Sequence, residues 1–148
     1  MEEIQKLDNQ LCFALYVCSK EIIKKYKPLL EPFGLTYTGY ITLLALWEQD
    51  GVTVKDLGER LFLDSGTLTP VLKKLEASGF VDRNRNKNDE RSVTITLTDK
   101  GRRTQQSALS IPREMGCTIT SNSRFGMDEM STLLKDLHTV SSVLVDES

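Results

Sequence analysis

The stretch from Thr53 to Leu97 constrains the fold more than any other part of the sequence. It opens with two short apolar-periodic segments. One runs from about Thr53 to Leu61; the other carries Leu68, Val71, Leu72 and Leu75 and stops at Gly79. Thr53 stands three residues before Asp56, a relative of the capping box, and Asp64 or Ser65 can cap the second segment. Little more than Phe62 and Leu63 separates the two, so the helices must cross over a tight turn. Phe80 to Arg85 then reads as a strand and Asn86 to Glu90 as a polar turn. After it Val93, Ile95 and Leu97 alternate with Ser92, Thr94 and Thr96, the mark of a half-buried strand. The order is helix, turn, helix, hairpin.

Long helical segments flank this unit. From about residue 4 to 27, Ile4, Leu7, Leu11, Leu15, Cys18 and Ile22 form one stripe at three- and four-residue steps. Cys12, Tyr16, Ser19, Ile23 and Tyr26 form a second row beside it. Two apolar rows are too wide for a single neighbour, so this helix is expected to touch both its own core and a partner subunit. Pro28 should end or bend it. Thr36 can cap a further helix bearing Tyr40, Ile41, Leu43, Leu44 and Leu46. Thr98 with Asp99 can cap a last helical region, broken near Pro112 and around 118–126, before a final helix from about Met127 to Val145. The pattern predicts an α+β chain, mostly α. It forms one domain over 1–148: a winged helix-turn-helix at about 53–97, with dimerisation helices at about 4–27 and 98–146.

Several chemistries are disfavoured by what the chain lacks. His138 is the single histidine and has no nucleophile elbow around it, and no glycine-rich phosphate loop occurs. Cys12, Cys18 and Cys117 lack metal-ligand spacing. Neither an enzyme nor a bound cofactor or metal is expected. No apolar run reaches the ~18 residues of a membrane span. The N-terminus, Met-Glu-Glu-Ile, is acidic where a secretory signal is basic, which predicts a cytoplasmic protein whose cysteines start as thiols.

Charge is unevenly spread. The net charge of −2 hides nine basic against five acidic residues between Lys73 and Arg103, a local +4 that leaves −6 to the rest. A basic cluster alone is commonly a solvated face; its place on the second helix and hairpin gives it meaning. A helix entering a major groove wants small polar side chains at its start and cations along it, and Ser65, Thr67, Thr69, Lys73 and Lys74 supply them. A hairpin reaching phosphates wants cations near its tip, where Arg85, Lys87 and Arg91 stand. Double-stranded operator DNA is the expected partner, bound by a homodimer. A protein-contact role for the same fold remains the alternative.

The run DLGERLFLDSGTLTPVLKKLEASGFVDRNRNKNDERSVTITLTDKG resembles the MarR superfamily, its DERS segment matching the wing tip. LDNQLCFALY, KKY and LTYTGY are similar to the branch that senses organic hydroperoxides, the OhrR type, and its staphylococcal relatives. The likeness covers nearly the whole chain and fades after about Gly101. It implies a peroxide-sensing cysteine at Cys12, tyrosines at Tyr26 and Tyr37 that hydrogen-bond its thiolate, and regulation of the repressor type in which oxidation releases operator DNA. Cys117 resembles the second, resolving cysteine found in some members; an incidental loop thiol is the other reading.

Physical chemistry limits this site. Cys12 lies in the first turns of its helix, where the dipole favours a thiolate that can attack a peroxide O–O bond. Tyr26 stands 14 residues along the same helix, ~21 Å away at 1.5 Å per residue, and cannot reach its own Cys12. Only an antiparallel partner helix brings them together. The bland reading of Cys12 is a small buried apolar residue, and Cys18 on the core stripe is expected to be packing. Two rival functions stay open: a regulator of this fold answering a small phenolic or lipophilic ligand, and a thiol-dependent peroxidase.

Overall fold

A computed structural model describes residues 2–146, the Glu90 side chain excepted. By contacts the chain falls into two units, Met1–Ala108 and Leu109–Ser148.

The first unit begins later as a helix than the periodicity predicts. Glu3–Gln5 and Leu7–Asn9 are single 3-10 turns, and the long helix α1 spans Leu11–Leu30. Lys6 and Gln10 are extended between these turns, and the Asn9 amide donates to the Glu3 carbonyl at 2.7 Å, so local side-chain bonding replaces the helical ladder. The C-terminal end differs as well. Pro28 does not end α1; the helix continues to Leu30 and passes into a 3-10 turn at Glu31–Phe33. Gly34 stops it, in the left-handed region at φ 67, and the Leu35 amide closes back on the Leu30 carbonyl.

Three side-chain caps start the next helices where the sequence places them. Thr36 Oγ1 accepts from the Gly39 amide at the head of α2, Tyr37–Glu48. Thr53 Oγ1 accepts from Asp56 at the head of α3, Val54–Leu61, and Asp64 Oδ1 from Thr67 at the head of α4, Ser65–Ala77. Each such cap contributes about 1 kcal/mol. Between α3 and α4 the chain passes so close that a Cβ on Gly58 would lie 2.7 Å from the Leu63 carbonyl oxygen. Phe62 makes the turn with a positive φ of 55.

The hairpin is β2, Val81–Asn86, with β3, Asp89–Leu97, antiparallel and in register from Val81↔Leu97 to Arg85↔Val93, with an irregularity between Arg85 and Asn86. Strand β1, Val52–Thr53, was not legible from periodicity because two residues show no alternation; it pairs Val52↔Ile95 and Thr53↔Thr94, giving the order β1-β3-β2. Leu43, Leu46, Leu57, Leu68, Leu72 and Ile95 are fully buried between the helices and this sheet. Each buried aliphatic side chain contributes about 1.5–3 kcal/mol. Helix α5, Asp99–Ser107, is capped by Thr98 Oγ1 on the Gly101 amide. It lies against the hairpin base: a Cβ on Gly101 would sit 2.2 Å from the Phe80 carbonyl oxygen, and Trp47 Nε1 donates to the Gly101 carbonyl at 3.0 Å.

The second unit holds α6, Ser110–Thr120, and α7, Met127–Asp146, joined by a turn in which Asn122 accepts from the Arg124 amide. The helical break expected near Pro112 falls instead at Ala108 and Leu109. Pro112 sits in the first turn of α6, where its missing N–H costs nothing. Helix α7 buries none of its residues, and Leu133, Leu134, Val143 and Leu144 are exposed on it.

Candidate nucleic-acid interface and thiol site

The start of α4 presents Ser65 and Thr67 to solvent, with Thr69 half-buried behind them and Lys73 and Lys74 exposed further along. Arg85, Lys87 and Arg91 are exposed on the hairpin. The hairpin tip is shaped by its own side chains: Asn86 Oδ1 accepts from the Asn88 amide and Asp89 Oδ1 from the Arg91 amide. Among the described residues none of these five cations is held in an ion pair. Three other members of the basic cluster do structural work. Lys100 donates to the Ser78 carbonyl and covers the Phe80 ring at 4.4 Å. Arg83 is half-buried with Nη1 3.7 Å from Glu76, tying β2 to α4. Arg102 bridges Asp50 and Asp99. Lys73, Lys74, Arg85, Lys87 and Arg91 thereby leave exposed positive charge on α4 and the hairpin, which suits a phosphate partner.

Asp50 carries a role that sequence reading missed. Its Oδ1 accepts from the Gly51 amide and, across the sheet, from the Leu97 amide at 2.8 Å, while Oδ2 meets Arg102 at 3.3 Å. One carboxylate thus fixes the base of β3 to the end of α2 and to α5. No local pattern announces a contact between residues 47 positions apart.

Cys12 is the second residue of α1 and is exposed. The first turn of this helix has no side-chain cap and no acidic residue, so its positive end is not neutralised there. The bland reading of Cys12 as a buried residue does not hold for the chain. Neither does the packing role expected of Cys18, which is also exposed. The physical reason is the same for both: among the described residues the N-terminal part of the apolar rows stays largely open, and only Leu30 is buried in the whole helix. Tyr16, one turn beyond Cys12, lies open with Lys20 5.5 Å from its ring centroid.

At the far end of α1 the two predicted tyrosines do meet. The Tyr26 and Tyr37 rings are 4.9 Å apart. Tyr40, absent from the expected site, completes the group at 5.8 Å from Tyr26 and lies edge-on to Trp47. Burial, and next the neighbouring Tyr37, push the Tyr26 phenol upward; burial, with Tyr26 and Tyr37, pushes Tyr40 up to about 12. Both phenols therefore remain protonated donors at neutral pH. Helix α1 is continuous from Cys12 to Tyr26, so the ~21 Å between them is rigid. Cys117 is not on a weakly structured loop as expected; it is exposed within α6, in the second unit. Ile111 and Met115, four residues apart and both buried, anchor this helix.

The order of elements, the capped α4 and the hairpin with β1 make a winged helix. Residues 24–107 match the family described as "Transcriptional regulator SarA/Rot". The organic hydroperoxide resistance transcriptional regulator of Bacillus subtilis (strain 168) is 46% identical over 139 residues, covering 94% of this chain and 92% of that protein. The chain belongs to the SarA/Rot family of MarR-type transcriptional regulators. Among solved members, reduced AbfR of Staphylococcus epidermidis bound to DNA is 36% identical with a TM-score of 0.81, over 97% of this chain and 98% of that one. The disulfide form of AbfR is 39% identical with a TM-score of 0.67, over 88% and 91%. The family and the winged-helix fold expected from the sequence are both borne out. No helix among the described residues is long and apolar enough to cross a membrane.

Proposed function

We propose that the chain is a cytoplasmic, homodimeric repressor that binds operator DNA when reduced and releases it when Cys12 is oxidised by an organic hydroperoxide. The observation that carries this reading is the division of one rigid helix: an exposed cysteine at its N-terminal turn and a tyrosine pair at the other end, ~21 Å away. An antiparallel copy of α1 would bring the partner's Tyr26 and Tyr37 to Cys12. The exposed apolar residues of α1 supply a surface for such a copy.

In the chemical step the Cys12 thiolate attacks the distal peroxide oxygen. The O–O bond breaks, the alkoxide leaves and takes a proton to become an alcohol, and the sulfur becomes a sulfenic acid. The thiolate of Cys117 from the other subunit then attacks that sulfur and expels hydroxide, which takes a proton to leave as water, and a chain-to-chain disulfide remains. DNA contacts are assigned to Ser65, Thr67 and Thr69 on bases, and to Lys73, Lys74, Arg85, Lys87 and Arg91 mainly on phosphates. A gel shift on the duplex upstream of the chain's own coding sequence tests the reading: the shift should be lost with one equivalent of an organic hydroperoxide and return with dithiothreitol. Continued consumption of peroxide with a thiol reductant, without change in DNA binding, would favour a peroxidase instead.

One feature supports a second reading. A cleft of about 460 Å³ opens beside Tyr37, with Ile23, Leu30 and Leu35 on its apolar wall and Lys24, Lys27 and Lys74 at its rim. A small lipophilic or phenolic effector fits that chemistry. Release of DNA by such a compound from Cys12→Ser protein would decide for it.

A further inference from the structure

We propose that Phe62 is an apolar base-reading residue, packing on a thymine methyl at the edge of the site that α4 reads. This deepens the DNA-binding reading and rests on it.

Phe62 caps the C-terminal end of α3, where its amide closes on the Glu59 carbonyl. The turn into α4 requires the left-handed region, and Phe62 adopts it at φ 55, ψ 39. It is the only non-glycine residue with positive φ among the described residues. Glycine or asparagine would hold this turn with less strain. A bulky ring is tolerated there when packing against the fold compensates, yet this ring is 71% exposed and has no ring or cation neighbour among the described residues. The side chain therefore stabilises little within its own subunit.

Its surroundings say what it fits. Phe62 stands two residues before Asp64, the cap of α4, so it belongs to the same edge of the molecule as Ser65 and Thr67. That edge is otherwise polar, with Glu59, Arg60, Asp64 and Ser65 exposed on either side. One phenyl ring in such a setting is far smaller than the patches on which proteins dock. It matches the single apolar feature of the major groove, the C5-methyl of thymine, which phenylalanine side chains contact. Lys73 and Lys74 lie exposed further along the same helix, where they would meet the phosphates of the groove that α4 enters.

The test uses the reduced full-length protein, a duplex it selects from a randomised pool, and Phe62→Asn, which suits the left-handed turn and removes the ring. Phe62→Asn should melt no lower than wild type and bind the selected duplex about fivefold more weakly, with an unchanged salt slope. One selected thymine, replaced by deoxyuridine, should weaken wild type by a similar factor and leave Phe62→Asn unaffected. Binding within twofold of wild type overturns the proposal, as does a deoxyuridine scan that costs both proteins equally. A lowered melting temperature would also overturn it, by showing that the ring packs on its own chain. Failure of wild type to enrich any duplex would instead remove the DNA-binding reading itself.

Discussion

The Tyr26 and Tyr37 rings sit 4.9 Å apart with planes tilted by 52°, one from the end of α1 and the other from the first residue of α2. In the proposed site, removing either hydroxyl would take away a hydrogen-bond donor offered to a cysteine from a second subunit. Tyr26→Phe and Tyr37→Phe should each slow oxidation of Cys12 by about tenfold, while DNA affinity of the reduced protein stays near wild type. Stopped-flow peroxide consumption beside a gel shift measures both. Unchanged oxidation rates in both variants would detach the tyrosines from the thiol.

Alkaline pH should reveal the third tyrosine. Tyr40 titrates in the fold at about 12 against an ordinary 10.0. A raised folded value means the unfolded chain loses its proton first, so the stability tied to this group is intact below pH 10.0 and is lost as pH climbs towards about 12. Thermal melts between those limits should decline less steeply in Tyr40→Phe than in wild type. Equal slopes would place the alkaline sensitivity elsewhere.

The wing and α4 should contribute separably. Arg91→Ala is expected to weaken binding to all duplexes and to flatten the salt dependence by about one unit, because a hairpin cation meets phosphate potential. Thr69→Val should change base preference more than salt slope. Full affinity of Arg91→Ala at moderate salt would mean that the hairpin is not at the DNA.

Gly101 offers a test of the scaffold. An alanine there would press a methyl to 2.2 Å from a backbone oxygen that has no flexible escape. Gly101→Ala should cost about 2–4 kcal/mol and shift the emission of Trp47, whose indole bonds the Gly101 carbonyl. A wild-type melt would show that α5 moves freely from the hairpin.

Non-reducing electrophoresis after peroxide treatment should give a dimer band in wild type and Cys18→Ser, and none in Cys12→Ser or Cys117→Ser. Persistence of the band without Cys117 would end its resolving role and leave a one-cysteine route closed by a small thiol.

Much of this architecture was legible because its signals are local. Caps at Thr36, Thr53, Asp64 and Thr98 are each set by a side chain and an amide three residues away, and the alternation of Val93, Ile95 and Leu97 needs only one strand. What escaped was either too short or too distant to leave a pattern. Two residues of β1 carry no period, and Asp50 reaches Leu97 across the sheet. Periodicity also misled where it ignored competing bonds. The apolar spacing of Ile4 and Leu7 extends the α1 stripe, but the Asn9 amide holds those residues in 3-10 turns. The stripe through Cys18 was read as a buried core face, whereas periodicity says only that a face is apolar and not whose surface covers it.

Helix α1 has twenty residues and buries one of them. Its C-terminal part is held within the chain by Leu30 and by Tyr26 against Tyr37 and Tyr40, so in the proposed dimer the part that carries Cys12 would draw its packing from a second copy. The consequence is a dependence on abundance. In that dimer a scarce subunit would leave Cys12 without the partner's tyrosines, and mass action at higher abundance would supply them. A regulator built this way would report an oxidant only above the concentration at which it recognises itself.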